Sequence, residues 1–158
     1  MMTRFFKNTA MAGAWLAATV LALMFLLGIS EIVARSAFGT SLSFSVEIIS
    51  YMILLVLFWG SGWAMVGDHH ISMSLLTNML PKRWQTALTA LNLVVASFLA
   101  LLILAALLMW TWETYQRGDV SFYPLATPLW IPQLLLSFGP FFLFCGAMAR
   151  LLERKGVE

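Results

Sequence analysis

The stretch from Trp84 to Trp112, WQTALTALNLVVASFLALLILAALLMWTW, contains no charged residue and decides the fold of this chain. A helix of about 20 apolar residues crosses the hydrocarbon core of a bilayer, which is about 30 Å thick. The apolar run is continuous and does not alternate with polar residues, so it predicts a transmembrane helix and excludes a strand of a membrane barrel.

Three further charge-free stretches are long enough to cross a membrane, and they cover residues 8–30, 48–67 and 120–149. We therefore expect an all-α membrane protein with four transmembrane spans, at about 9–33, 44–66, 85–112 and 129–151. Because the connections are short, consecutive spans should pack antiparallel. Residues 1–158 should form a single four-helix domain without a separate soluble part.

The overall composition agrees with a membrane protein. Of the 158 residues, 61% are hydrophobic and only 10% are charged, whereas a soluble domain has about 25% charged residues. This is too little charge to cover a soluble core. The basic residues form no continuous patch, so the expected partner is the lipid bilayer and not a nucleic acid.

The lysines and arginines indicate the orientation of the spans. Arg35 and Arg117 are the two in the first and third connections, and the other seven of the nine lie at the two termini or between spans two and three. By the positive-inside rule, both termini and the middle connection face the cytoplasm. Arg4 and Lys7 also fit the start of a signal peptide, but the apolar stretch is long and no clear cleavage site ends it. We expect a retained anchor.

The middle connection has an amphipathic pattern. From His70 to Leu80 the apolar residues recur at helical spacing, polar residues fall largely opposite, and Pro81 ends the run. This predicts a helix at about 70–80 lying on the inner membrane surface. The alternative is a kinked cytoplasmic extension of span two.

Glu47, near the start of span two, needs water or a partner, because a carboxylate inside a span is costly. It is either a proton or cation site or a buried clamp to Arg35 or to a helix of another subunit. Its position near the outer surface favours the clamp, since carriers bind their substrates near the midplane. The spacing of four between Glu31 and Arg35 predicts a local ion pair, and Glu113 and Arg117 repeat it.

Few other residues suggest chemistry. Gly60 and Gly62 form a small-residue patch where another helix can approach closely. His69 and His70 point about 100° apart on a helix, and apart from Asp68 no Cys, Asp or Glu lies beside them to complete a site, so no metal site is expected. The lone Cys145 is expected to pack. Without a phosphate loop or nucleophile motif, we expect no catalytic residue, no cofactor and no enzyme activity.

Several short motifs between residues 35 and 81 occur in a characteristic order. They are Arg35 at the end of span one, Ser43-Phe44-Ser45-Val46-Glu47, Trp59-Gly60-Ser61-Gly62, His70-Ile71-Ser72-Met73 and Leu80-Pro81. This order resembles the small membrane subunit, of the DctQ type, of tripartite ATP-independent periplasmic (TRAP) transporters. The residues that match the family pattern are Arg35, Glu47, Gly60, His70, Ile71, Leu80 and Pro81. Phe44, Val46, Ser50 and Ser74 depart from it, and Val46 removes one of two paired carboxylates.

The resemblance implies a multi-pass protein of a bacterial or archaeal inner membrane. In that family a large multi-span subunit carries the substrate and sodium ions by symport, and a periplasmic binding protein delivers an organic acid. The small subunit is a scaffold that binds no substrate itself. Its matching residues, together with Gly62, are therefore expected at structural or partner-interface positions.

Two other functions fit the sequence less well. A self-sufficient four-helix multidrug exporter exchanges protons for cationic drugs at one glutamate inside its first span, whereas Glu31 lies at the outer end of the span. A membrane redox enzyme would need paired histidines inside the spans, which this sequence lacks.

Overall fold

The computed structural model describes residues 2–67 and 82–155, and it consists of four long helices. They are α1 (Met2–Phe38), α2 (Ser45–Val66), α3 (Lys82–Arg117) and α4 (Trp130–Lys155). All four are long and apolar enough to cross a membrane, which confirms the predicted all-α membrane fold. The predicted surface helix at about 70–80 lies outside the described residues, and the inward orientation of both termini stays a prediction.

Each predicted span coincides with part of a helix, and the spans at 44–66 and 129–151 begin one residue before α2 and α4. Helices α1 and α3 are much longer than their predicted spans. With 37 and 36 residues, they measure about 55 Å each at 1.5 Å per residue. The hydrocarbon core is only about 30 Å thick, so these two helices must tilt or extend beyond it. The shorter α2 and α4, with 22 and 26 residues, fit the membrane more closely.

Helix α4 is the centre of the bundle. It packs against α1, α2 and α3, and α1 also packs against α2. Consecutive helices therefore pack as predicted for α1–α2 and α3–α4, but the prediction is wrong for α2–α3, which have no comparable contact among the described residues. The chain between Val66 and Lys82 is long enough to carry α3 to the far side of α4.

The core consists of two small clusters rather than one continuous interior. Ala17, Leu55, Trp59 and Phe142 meet where α1, α2 and α4 join. A second cluster of Met65, Leu93 and Ala147 lies further along the bundle, where α3 meets α4 and the last turn of α2. Most other large apolar side chains are exposed, as expected for helices whose outer faces contact lipid or another membrane subunit.

The bundle has two ends that we name by their residues. The loop end carries the connections 39–44 and 118–129, and the terminal end carries the start of α1 and the end of α4. The connection of residues 118–129 is irregular and forms no helix. The amide of Ser121 donates to the carbonyl of Thr127 at 2.9 Å, and the positive φ angles of Gly118 (68°) and Ala126 (47°) turn the backbone.

Candidate partner interface

The carboxylate of Glu31 fastens the first connection at the loop end. Its Oε1 accepts hydrogen bonds from Arg35 and from the hydroxyl of Ser41, both at 2.8 Å. Its Oε2 accepts from the amide of Leu42 at 2.8 Å and from the hydroxyl of Ser45 at 3.1 Å. Hydrogen bonds to a charged acceptor are stronger than neutral ones. One side chain therefore ties the end of α1 to the start of α2.

This geometry confirms the predicted ion pair between Glu31 and Arg35, which join at 2.8 Å. It also shows that Arg35 does not reach Glu47, so the clamp between those two residues is wrong. The repeated spacing at the end of α3 behaves differently. There, Arg117 pairs with Asp119 at 3.2 Å, because the chain turns at Gly118 and brings that carboxylate back to the helix.

Glu47 is buried under the second connection, with only 1% of its surface exposed. Its Oε1 accepts a hydrogen bond from the hydroxyl of Tyr51 at 3.0 Å. The hydroxyls of Ser121 and Thr127 face the same carboxylate, although Oε2 has no partner with full hydrogen-bond geometry among the described residues. The first turn of a helix favours a negative charge, because unpaired amides point outward there. Glu47 thus holds loop 118–129 against α2.

The close contact between α2 and α4 depends on glycines. A Cβ added to Gly62 would collide with the backbone carbonyl of Phe142, and one added to Gly146 would collide with the carbonyl of Gly62. At Gly60, by contrast, the nearest atom would be the Cβ of Ala17 at 3.9 Å, an ordinary contact. Of the two glycines singled out from the sequence, Gly62 is therefore the one that sets a helix contact within this chain.

A partly buried hydrogen bond also joins α2 to α4. The indole Nε1 of Trp59 donates to the carbonyl of Leu135 at 2.9 Å, and its ring meets Phe142 edge-on with centroids 6.3 Å apart. Inside a bilayer no water competes for such a donor, so the bond fixes α2 relative to α4.

Two contacts link the helices at the terminal end. Arg150 of α4 donates to the carbonyl of Met65 at 3.2 Å, which satisfies one of the free carbonyls in the last turn of α2. Lys7 of α1 pairs with Glu153 of α4 at 3.4 Å on the surface. The exposed pair is expected to contribute little to stability, whereas the Arg150 contact caps a helix.

A cleft of about 250 Å³ opens between α2 and α3 toward the loop end. It is lined by Tyr51, Leu54 and Leu55 of α2, by Trp110 of α3, by Leu129 at the end of the second connection and by Pro132, Gln133 and Leu136 of α4. The cleft exists because α4 separates α2 from α3. Its lining is almost entirely apolar.

The described residues include only part of the predicted set of interface residues. Arg35 and Glu47 both lie at the loop end but in separate hydrogen-bonded groups, and Gly60 and Gly62 lie further along α2. The other predicted residues, His70, Ile71, Leu80 and Pro81, lie outside the described part of the chain. Their assignment to a partner interface stays a prediction, as does the absence of a metal or cofactor.

Sequence reasoning missed three structural residues. Glu31 was recognised only as half of a local ion pair, although a carboxylate just before a Ser-rich connection could have indicated a loop clamp. Gly146 was overlooked because glycine is common in membrane helices. The contact from Arg150 to α2 has no local signal, since its acceptor lies far away in the sequence.

A match to a protein family covers most of the chain. Residues 24–155 match the family described as "Tripartite ATP-independent periplasmic transporters, DctQ component". The matched region begins in the middle of α1 and includes α2, α3 and α4. Comparison with curated proteins gives no match.

Proposed function

The chain belongs to the DctQ component family of tripartite ATP-independent periplasmic transporters, and we propose that it serves there as the scaffold of the large permease subunit. As a member, it is the small permease subunit and a multi-pass protein of the inner membrane. The family match over residues 24–155 is the observation that carries this proposal. The order of motifs from Arg35 to Pro81, which lies within the matched region, agrees with it.

The internal use of polar groups supports a scaffold role. Glu31 is occupied by four donors of its own chain, and Glu47 is covered by Tyr51 and loop 118–129. Several hydroxyls within the helices donate to the carbonyl one turn earlier, as Thr19 does to Trp15 at 2.9 Å. The remaining exposed surface is mainly apolar, which suits contact with lipid and with another membrane subunit.

We further propose that the complete transporter takes up an organic acid by sodium symport, with the sodium ions and substrate in the large subunit. The loop end would face the periplasm, where a binding protein delivers the substrate. Both proposals rest on the resemblance and on the positive-inside count of lysines and arginines. On this account, the small chain has no catalytic role.

The structure gives no support to the exporter alternative. An exporter glutamate must alternate between a proton and a cationic drug, so it needs access to both. Glu31 has a side chain only 13% exposed and is held by four hydrogen bonds that close the α1–α2 connection. Binding of a proton or a drug at Glu31 would have to break these four hydrogen bonds and would open the α1–α2 connection.

Co-purification is the direct test of the scaffold proposal. The chain carries an affinity tag after residue 158 and is co-expressed with a large TRAP permease subunit from the same genome. We expect the two to elute together in a fixed ratio from mild detergent. The control is the same tag on an unrelated four-helix membrane protein. Failure of the large protein to elute with the tagged chain, while both are present in the membrane, would contradict the proposal.

A further inference from the structure

One polar side chain is exposed within a membrane span and has no hydrogen-bond partner among the described residues. Asn92 lies on the exposed surface of α3, within the apolar span Ala87–Arg117. No described residue forms a hydrogen bond with its side-chain amide. A serine or threonine in a membrane helix can bond to the carbonyl one turn earlier, but the Asn92 amide has two donors and an acceptor to satisfy.

The position of Asn92 along α3 places it inside the hydrocarbon. Trp84 and Trp112 mark the two interfaces, because tryptophan prefers the membrane boundary. Asn92 is eight residues from Trp84, which corresponds to about 12 Å along the helix.

Asn92 belongs to an exposed stripe that runs along α3. At 100° per residue, Leu99, Ile103 and Trp110 lie within about 20° of Asn92 around the helix. These three side chains are 48%, 43% and 52% exposed. The stripe is about 27 Å long, nearly the thickness of the hydrocarbon core. Helix α3 buries another face, which carries Leu93, Ser97 and Ala100.

The cleft between α2 and α3 shows which side this stripe faces. Trp110 forms one wall of the cleft, and Tyr51, Leu54 and Leu55 of α2 form the opposite wall. The stripe therefore borders the cleft at its Trp110 end, and Ile103 and Leu99 continue it along α3 toward Asn92. We define this surface, from the cleft to Asn92, as the α3 groove.

We propose that the α3 groove seats a transmembrane helix of the large permease subunit, and that this helix places a polar side chain against Asn92. Lipid tails could fill the apolar cleft, but they cannot form hydrogen bonds with an amide. A protein helix supplies both an apolar ridge for the stripe and a hydrogen-bonding group at the level of Asn92. The inference rests on the proposed scaffold function and specifies the surface that performs it.

Two leucines of α3 provide a matched test. Leu99 lies in the stripe, whereas Leu101 is two residues away and points about 160° from it, so both are at nearly the same membrane depth. Their exposures are similar, 48% and 45%. Each is replaced by cysteine in a Cys145→Ala background, which removes the only native thiol, and is spin-labelled. The accessibility of each label to dissolved oxygen is measured in lipid nanodiscs, with and without the large subunit.

We expect the label at residue 99 to lose most of its oxygen accessibility when the large subunit is present, while the label at 101 keeps its own. In the chain alone both labels should be accessible. An intact complex in which residue 99 stays accessible would overturn the inference and leave the proposed function standing. Shielding of residue 99 in the chain alone would also overturn the inference. A second copy of the chain, or another part of the same chain, would then cover the groove. The absence of any complex would instead contradict the proposed function.

Asn92 variants test the hydrogen bond itself. Asn92→Leu keeps the size of the side chain and removes its polarity, and we expect it to weaken association with the large subunit by about 3- to 18-fold, as for other interhelical hydrogen bonds in membranes. Asn92→Gln should retain more of the affinity, and Leu101→Ala should have no effect. An Asn92→Leu variant that binds as tightly as the unchanged chain would show that the amide has no partner in the complex.

Discussion

Replacing Gly62 by alanine should weaken the α2–α4 contact, although the change adds only a methyl group. The new Cβ would collide with the carbonyl oxygen of Phe142, lie 2.6 Å from its carbonyl carbon and lie 3.1 Å from its Cβ. The first two atoms are backbone, so no side chain can rotate away and the two helices must separate. This would also disturb the edge-on contact between Trp59 and Phe142.

The magnitude follows from three effects. Overpacking of this kind costs about 1–3 kcal/mol. Partial loss of the aromatic contact adds about 0.5–1 kcal/mol. The better helix propensity of alanine returns about 0.5–1 kcal/mol. We therefore expect Gly62→Ala to lower the free energy of unfolding by about 1–3 kcal/mol.

Gly60→Ala is the matched control, because it lies two residues away on the same helix and its new Cβ would have no neighbour closer than 3.9 Å. It should be neutral or slightly stabilising. Unfolding is followed by near-ultraviolet circular dichroism in mixed micelles with increasing sodium dodecyl sulfate. Equal stability of the Gly62→Ala variant and the unchanged chain would refute the close-contact argument. Equal loss at both positions would refute it as well, since only one of the two glycines is sterically constrained.

Three further changes test other contacts. Trp59→Phe should lower stability by about 1 kcal/mol in the same micelle assay, because it keeps a ring and removes the donor to Leu135; an unchanged midpoint would mean that this bond does not form. Glu31→Gln should speed hydrogen exchange at the amide of Leu42, which donates to the carboxylate at 2.8 Å, and unaltered exchange there would argue against the clamp. Glu47→Ala should loosen loop 118–129 and reduce co-purification with the large subunit more than it reduces transport by the complexes that form. Normal co-purification combined with lost transport would point to a chemical role of this carboxylate.

The sequence was sufficient to predict the four helices. A continuous apolar run can cross a bilayer only if its backbone hydrogen bonds are satisfied within the run, and a helix satisfies them. Their lengths were harder to predict, since a helix continues past the membrane boundary wherever its polar residues still form helical hydrogen bonds. Arg4 and Lys7 lie within α1, and Glu113 and Arg117 within α3. Hydrophobicity marks the membrane-crossing part of such a helix and not its ends.

The order of packing could not be predicted, because helix neighbours depend on contacts between distant residues. The glycines of α4 allow α2 to lie directly against it, as shown by the contact between Gly62 and Gly146. That contact makes α4 the central helix and leaves α3 on its far side. A pattern of small residues indicates that a helix can pack closely, but it does not say against which partner.

The candidate site was predicted in part. The sequence identified Glu47 as a carboxylate that needs a partner, and the structure shows it beneath loop 118–129. The choice of Tyr51, Ser121 and Thr127 as its neighbours depends on the fold of that loop. Three of the four hydrogen bonds to Glu31 could not be predicted, because their donors, Ser41, Leu42 and Ser45, are ten or more residues away.

Flux measurements in proteoliposomes test the central claim most directly, namely that this chain supports transport without carrying the substrate. The probe is the radiolabelled organic acid that most raises the melting temperature of the partner binding protein, chosen from a panel of mono- and dicarboxylic acids. Liposomes with this chain alone should show no uptake, with or without a sodium gradient. Liposomes with both membrane subunits and the binding protein should accumulate the acid when sodium is supplied outside. Sodium-driven accumulation by the purified small chain alone would contradict the claim.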